Sequence, residues 1–476
     1  MASSVSNRAV IAVAVLLAAT GCRSGGRHEA AKNPTTSVTQ PGGAGDGSTE
    51  TSGGAGGGGA ASGAPGSGSG SAGNAAPGGT GGGSGGSGTV PKGSGPIVGS
   101  PSDPGAGPAR PQGWRKLPAA PLRSRHNASA VWTGREMIVW GGAWRAGNAS
   151  IWLDDGAAYD PAGDRWRRIA NSPLAPRSEA FTAWTGTHAL IWGGQKQGSI
   201  TGFGDEFSDG ALYDPTKDTW KPMAAWPLAE RYGARAVWTG KRLVVWGGAS
   251  AEAGTDPPPL ADGAAYDPGT NKWTKLAGGP LAGRIAPLAG ARGDAVLFSW
   301  GPSEVKDGKR VPASDSALYD PGPKRWTPAA PAPAPPKQTW CLDASGCVGV
   351  DTGTRVVFAG QGLAWDAAGN RWSPIAAGLF ADPFLEGAAR AWTGSRALFW
   401  GGGTTESSGD VPPATVTTAG ASYDVAADRW DALPAAPLTA RARAAAVWTG
   451  RELIVWGGEA DYNHRAQFDD GAAYTP

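Results

Sequence analysis

Five arginines close the same short motif, Pro-Leu-x-x-Arg, at Arg125, Arg177, Arg231, Arg284 and Arg441. Guanidinium groups gathered in this way do one of two kinds of chemistry. Their planar forks grip a carboxylate or phosphate, or they brace neighbouring segments through carboxylates and backbone carbonyls. Repetition within one chain favours the brace, and the anion-binding ring stays open as the alternative. Where the motif lapses, Lys337 and Asp382 take the corresponding places. His126 follows the first arginine, His464 lies near the C-terminus, and Glu179 and Glu386 stand near equivalent positions. Neutral imidazole can ligate a metal or move a proton, and a carboxylate can act as general acid or base. No third ligand accompanies the two histidines, so no metal site is expected. A ligand without the symmetry of the repeat needs an asymmetric site. The departures His126, Glu179, Lys337, Asp382 and Glu386 are therefore the expected binding residues, with the five arginines and His464 as further candidates.

The chain has three cysteines. Cys341 and Cys347 are six positions apart, and in an oxidising compartment such a pair is expected to form a local disulfide. A zinc site would need further Cys or His partners nearby, and the segment supplies none. No cofactor is expected.

Near the N-terminus, Arg8 precedes the apolar run from Ala9 to Ala19 and then Thr20-Gly21-Cys22. This is the layout of a secretory signal, and the run is too short to span a bilayer. Small residues directly before the cysteine resemble the lipobox of bacterial lipoproteins, with Ala19 where that family usually has leucine. The resemblance implies cleavage before Cys22 and acylation of its thiol. Residues 23–112 are Gly, Ser, Ala, Pro and Thr with almost no large apolar side chain. Such a segment cannot bury enough surface to offset chain entropy, so it reads as a disordered tether with a reach on the order of 50 Å. The expected division is a signal at 1–22, a linker at 23–112 and a globular part at 113–476, lipid-anchored to the cell envelope on its periplasmic or outer side.

The whole chain has 42 basic and 40 acidic residues. Six of the former and four of the latter precede Gly113, which leaves 36 of each sign in the globular part. That balance gives no general attraction to nucleic acid. No nucleotide-binding loop, zincin helix or nucleophile elbow is present.

The globular part repeats itself. Trp-Thr-Gly, an apolar run and Trp-Gly-Gly recur with Trp140, Trp192, Trp246, Trp400 and Trp456 leading the glycines, and weaker copies end at Trp300-Gly301 and Ala359-Gly360. An aromatic and then a Trp follow each, as in Tyr159 with Trp166 and Tyr213 with Trp220. The later tryptophans of successive copies, Trp166, Trp220, Trp273 and Trp326, fall about 53 residues apart, a period that suits one four-stranded propeller blade. The last copy stops at Pro476 after Tyr474 without its Trp, while an unpaired Trp114 precedes the first. Trp114 is thus expected to supply the final blade's outer strand and close the ring.

A diglycine after a hydrophobic strand, followed by spaced Tyr and Trp, resembles the kelch repeat over essentially all of 113–476. The resemblance implies an all-β propeller, about seven four-stranded blades here, of the kind seen in kelch proteins and in the central domain of galactose oxidase. It implies no single activity. The oxidase's copper site, two histidines and two tyrosines with a cross-linked cysteine, has no counterpart that the sequence places. Kelch-like propellers that act on sialic acid use Arg, Glu and His in the channel, and Glu179 and Glu386 keep that alternative open.

In such a meander the links from second to third strand and from blade to blade emerge on one face. Both are long and variable here, whereas the opposite face carries tight Thr-Gly and Asp-Pro turns. Binding residues sit on variable loops over a rigid scaffold. The expected function is a monomeric binding module presenting this loop face to a protein, peptide or glycan, with Trp144, Trp152 and Phe203 as anchors. A carbohydrate-active enzyme working through the channel is the alternative, and the residues favour the non-catalytic reading.

Overall fold

The computed structural model describes residues 111–147, 149–196, 206–250, 258–306, 309–334, 348–378, 387–403, 416–461 and 466–476. Cys22, Phe203, Lys337, Cys341, Cys347, Asp382, Glu386 and His464 lie outside them, as do the signal and nearly all of the linker.

The second strand of each repeat is largely buried. Met137–Trp140, Ala189–Trp192 and Leu453–Trp456 are unbroken apolar runs, buried at every position. An apolar run of this length, bounded by turns, suits a strand covered on both faces. The outermost strands are only partly buried. Arg165–Arg168 half-buries Trp166 and Arg167 between exposed arginines.

These strands assemble into five four-stranded antiparallel meanders. One is Ser129–Trp132, Met137–Trp140, Gly156–Asp160 and Arg165–Arg168. Similar sheets begin at Phe181, Arg231 and Ala389. The fifth joins Ala445–Trp448, Leu453–Trp456 and Gly471–Thr475 to Gly113–Lys116, with Trp114 opposite Tyr474. The remaining blade strands form one sheet of eight, in which the meanders starting at Leu288 and Val348 are joined by a parallel contact, Ala289 to Val348 and Gly290 to Gly349. The fold is an all-β propeller. Two of the long links also fold into hairpins of their own, Ala143–Ala146 with Ala149–Trp152 and Gly301–Lys306 with Lys309–Ala313.

The repeated aromatics form the joints between sheets. Five outer-strand tryptophans pack on the Trp before the diglycine of the preceding sheet, as Trp220 does on Trp140, Trp273 on Trp192 and Trp166 on Trp456, with ring centroids 5.7–6.0 Å apart. Such pairs contribute about 0.5–1.5 kcal/mol beyond the area they bury. The indole N–H also crosses the joint. Seven outer-strand tryptophans, from Trp114 to Pro434 O through Trp166 to Pro118 O and on to Trp430 to Ala376 O, donate to a carbonyl at 2.8–3.1 Å.

The diglycines close the same joints at the loop end. The second glycine's N–H donates to the carbonyl of the next sheet's motif arginine: Gly142 to Arg177 at 2.9 Å, Gly402 to Arg441 at 2.9 Å and Gly458 to Arg125 at 2.8 Å. Gly401 has φ +70°, and a Cβ there would lie 2.5 Å from Arg441 O. Both the backbone conformation and the approach exclude a side chain. Gly401→Ala is expected to cost about 2 kcal/mol through left-handed strain and the displaced joint. Thermal melts check this, and an unchanged melting temperature would show the joint to be plastic.

Candidate functional site

The five motif arginines fold back into their own sheets. Arg125, Arg177, Arg284 and Arg441 have no solvent exposure and Arg231 only 6%. In four of them one Nη donates to the carbonyl of the first diglycine residue: Arg125 to Gly141 and Arg441 to Gly457 at 3.0 Å, Arg177 to Gly193 at 3.1 Å, Arg231 to Gly247 at 3.2 Å. Each of the five also meets the aspartate just before the third strand. Arg125 lies 2.8 Å from Asp155, Arg177 2.6 Å from Asp209, Arg231 2.7 Å from Asp262 and Arg441 2.7 Å from Asp470, and Arg284 pairs with Asp315. Burial pulls the Arg125, Arg284 and Arg441 guanidiniums below their usual range, and the aspartates oppose it. All remain charged at neutral pH. The guanidiniums thus hold each sheet's second-to-third corner, while the arginine backbone rivets that corner to the preceding sheet.

Two residues beyond each arginine the chain turns left-handed, with φ of 52° at Asn127, 57° at Glu179, 64° at Gly233, 48° at Ala286 and 56° at Arg443, and 64° at Gly387 in the sheet without the motif. These residues link from sheet to sheet around the axis. Arg443 N–H donates to Gly387 O (2.6 Å), Asn127 to Arg443 O (3.0 Å), Glu179 to Asn127 O (3.1 Å) and Ala286 to Gly233 O (2.6 Å). At Gly233 the pattern changes, and its N–H goes to the Glu206 carboxylate at 3.3 Å.

Side chains at this ring form a connected polar arc on one side of the axis. Glu179 accepts from the amides of Asn127 (2.7 Å) and Gln195 (3.1 Å). Arg443 pairs with buried Glu459 at 2.9 Å, and His126 Nδ1 lies 3.6 Å from the same carboxylate. Across the axis Ala286 and Gly387 contribute no polar side chain. Deeper in, half-exposed positions of the inner strands are mostly alanine, such as Ala130, Ala236 and Ala446, with Thr182 and Arg390 larger. Distinctive chemistry is therefore concentrated at the mouth. Among the described residues no group of three or more His, Cys, Asp or Glu is placed to hold a metal.

Glu206 is half-exposed but densely surrounded. Desolvation, with Glu179 nearby, pushes its carboxyl up to about 7, while the Gly233 N–H and Arg235 act in the opposite sense. The folded chain thus keeps a proton that the unfolded chain, with an ordinary value of 4.5, releases. This contribution to stability is complete below about 4.5 and is lost as pH rises through about 7. The melting temperature is expected to fall between pH 5 and pH 8 more steeply for the native chain than for Glu206→Gln. Parallel slopes for the two chains would contradict the assignment.

Of the sequence candidates, the structure joins Glu179 to the arc, sets His126 beside it, and places the five arginines in the braces. Trp144 and Trp152 sit on the first hairpin, where Arg123 stacks on Trp144 at 4.4 Å. Asn127, Gln195, Glu206, Arg235, Arg443 and Glu459 were not among the candidates. Aligning the copies on the residue two after the arginine would have exposed Asn127 and Arg443, and aligning on the residue after the diglycine would have exposed Gln195 and Glu459. Glu206 lies in a variable link and carries no such signal.

Kelch-like protein 25 of Xenopus tropicalis is 28% identical over 205 residues, which cover 42% of this chain and 33% of that protein. N-acetylneuraminate epimerase of Yersinia enterocolitica is 29% identical over 156 residues, covering 26% of this chain and 39% of that protein. The chain thus spans between a third and two fifths of the length of these curated relatives. The solved structure of YjhT has a TM-score of 0.41 and 17% identity, over 76% of this chain and 95% of that one. No family model matches. The diglycine-ended strands, the Tyr and Trp that join one four-stranded sheet to the next, and the similarity to a Kelch-like protein and an N-acetylneuraminate epimerase together support a kelch-repeat β-propeller.

Proposed function

We propose that the chain is an extracytoplasmic binding module, held to the cell envelope by an acylated Cys22 and presenting its loop side to a glycan, with a peptide or protein surface as the other partner class. The reading is carried by the axial arc. Equivalent positions that hold alanine or glycine elsewhere hold Asn127, Glu179 and Arg443 there, as an asymmetric ligand requires. The fold is read as seven blades, the sheet of eight counting as two; the seven indole donors support this count. Cys341 and Cys347 are taken as a disulfide, and the module as a monomer without nucleic-acid affinity.

The second reading is a channel enzyme of the sialic-acid type. It is favoured by the similarity to N-acetylneuraminate epimerase and by a carboxyl, Glu206, poised near neutrality, where a general acid or base works best. Probing a glycan array with the full chain tests the first reading, and following N-acetylneuraminate anomers by proton NMR tests the second. Glycan hits that vanish in Asn127→Ala with no change in anomer exchange support the module. Accelerated exchange that Glu206→Gln abolishes would replace it with the enzyme.

A further inference from the structure

The strand that closes the ring is also the strand on which the linker pulls. In the last sheet Gly471–Thr475 starts beside the corner that Arg441 braces through Asp470 and runs to the tight-turn end. Gly113–Lys116 lies antiparallel to it, with Gly113 opposite Thr475, and Leu117 N–H donates to Gly471 O at 2.9 Å. The chain therefore enters the propeller at the tight-turn end, and the polar mouth stands at the other end. A force between the linker and anything held in the mouth acts along Gly113–Lys116. Antiparallel ladder bonds lie perpendicular to the strands, so such a force shears them together and peels none singly. Side chains add to the ladder. Trp114 packs on Trp400 (5.8 Å) and Tyr474 (5.1 Å), and its N–H donates to Pro434 O at 2.8 Å. Arg115 donates to Tyr159 and Asp164 of the first sheet at 3.0 and 3.2 Å and to Glu452 of its own at 3.0 Å. One short strand thus grips the preceding sheet, its own and the first.

We propose that the propeller carries tension between the cell envelope and its ligand, with Gly113–Lys116 as a clasp that holds in shear. The inference rests on the anchor reading above, in which Cys22 supplies the fixed end. A pull between the linker and Pro476 loads the same strand differently. Gly113 and Thr475 face each other, so that pull opens the ladder one pair at a time from its end. Forced opening follows the unfolding rate along the direction of pull and not the equilibrium stability. The clasp is therefore strong towards the mouth and weak towards Pro476.

Single-molecule pulling on the full chain tests this. One handle is fixed to the N-terminal end, so that the linker draws on Gly113. The other is fixed either after Pro476 or to an azide-bearing residue in place of Asp154 or, in a second chain, of Asp469, both exposed at the mouth end. Each chain is first checked for unchanged melting. Release of Gly113 to Ser124 is expected as the first step in both directions, at a force about two- to fourfold higher in the mouth pull, because up to four residue pairs share that load. Equal forces in the two directions, or a mouth pull in which another sheet opens first, would overturn the clasp while leaving the anchor reading intact. Intact mass of the chain recovered from bacterial membranes tests that reading separately. An unmodified Cys22 would remove the fixed end, and with it the role under tension, whatever the forces.

Discussion

A chain that begins at Pro118 will be less stable than one that begins at Gln112 by roughly 4–6 kcal/mol, a large part of the stability of an ordinary domain. The four residues Gly113–Lys116 are the outer strand beside Gly471–Thr475. Without them Trp114 no longer covers Trp400 (5.8 Å) and Tyr474 (5.1 Å), and its N–H no longer reaches Pro434 O at 2.8 Å. Truncating a packed Trp alone costs about 3–5 kcal/mol. Arg115 is lost too, and with it the bonds to Tyr159 (3.0 Å) and Glu452 (3.0 Å) that tie the last sheet to the first. The strand at Gly471–Thr475 then becomes an exposed edge. Denaturant unfolding of the two chains measures the difference. Equal midpoints would show that the closing strand is dispensable.

Arg441→Ala is expected to lower stability by about 3 kcal/mol, and Arg441→Lys to recover little of it. The side chain is fully buried, donates to Thr439 O and Gly457 O at 3.0 Å each and to Asp470 at 2.7 Å, and stacks on Phe468 at 4.0 Å. Breaking a buried pair by removing one partner costs about 3–5 kcal/mol. The lower end applies because Asp470 is about half exposed (48%) and can turn to water. An ammonium has the charge but not the planar fork, so it cannot reach all of these acceptors together. Paired thermal and denaturant melts decide it. Full stability in Arg441→Ala, accompanied by a loss of ligand binding, would show that the guanidinium serves a ligand and not the corner.

The partners of the brace were legible, though only in retrospect. Asp155, Asp209, Asp262 and Asp470 each precede Gly-Ala-x-Tyr, and Asp315 precedes Ser-Ala-Leu-Tyr. Where Pro-Leu-x-x-Arg is missing the aspartate is missing too, with Ala419 and Gln361 in its place. The mouth was less legible. Glu179 drew notice as a departure from the repeat, but its neighbours Asn127 and Gln195 come from different sheets, and Glu206 comes from a link with no repeated counterpart.

The sequence by itself determined the blade, its period, the outer-strand tryptophans that join one sheet to the next and the closing role of Trp114. Each copy solves the same packing problem with residues close together in the chain, so the solution is written repeatedly and can be read by comparing copies. Only the tertiary structure decided that the arginines face inward to their own corners, that residues two beyond them turn left-handed and circle the axis, and that Glu206 replaces a backbone carbonyl at Gly233. Those arrangements depend on closing the ring, which brings residues dozens of positions apart into one mouth. Closure is a property of the whole assembly, and no single repeat encodes it.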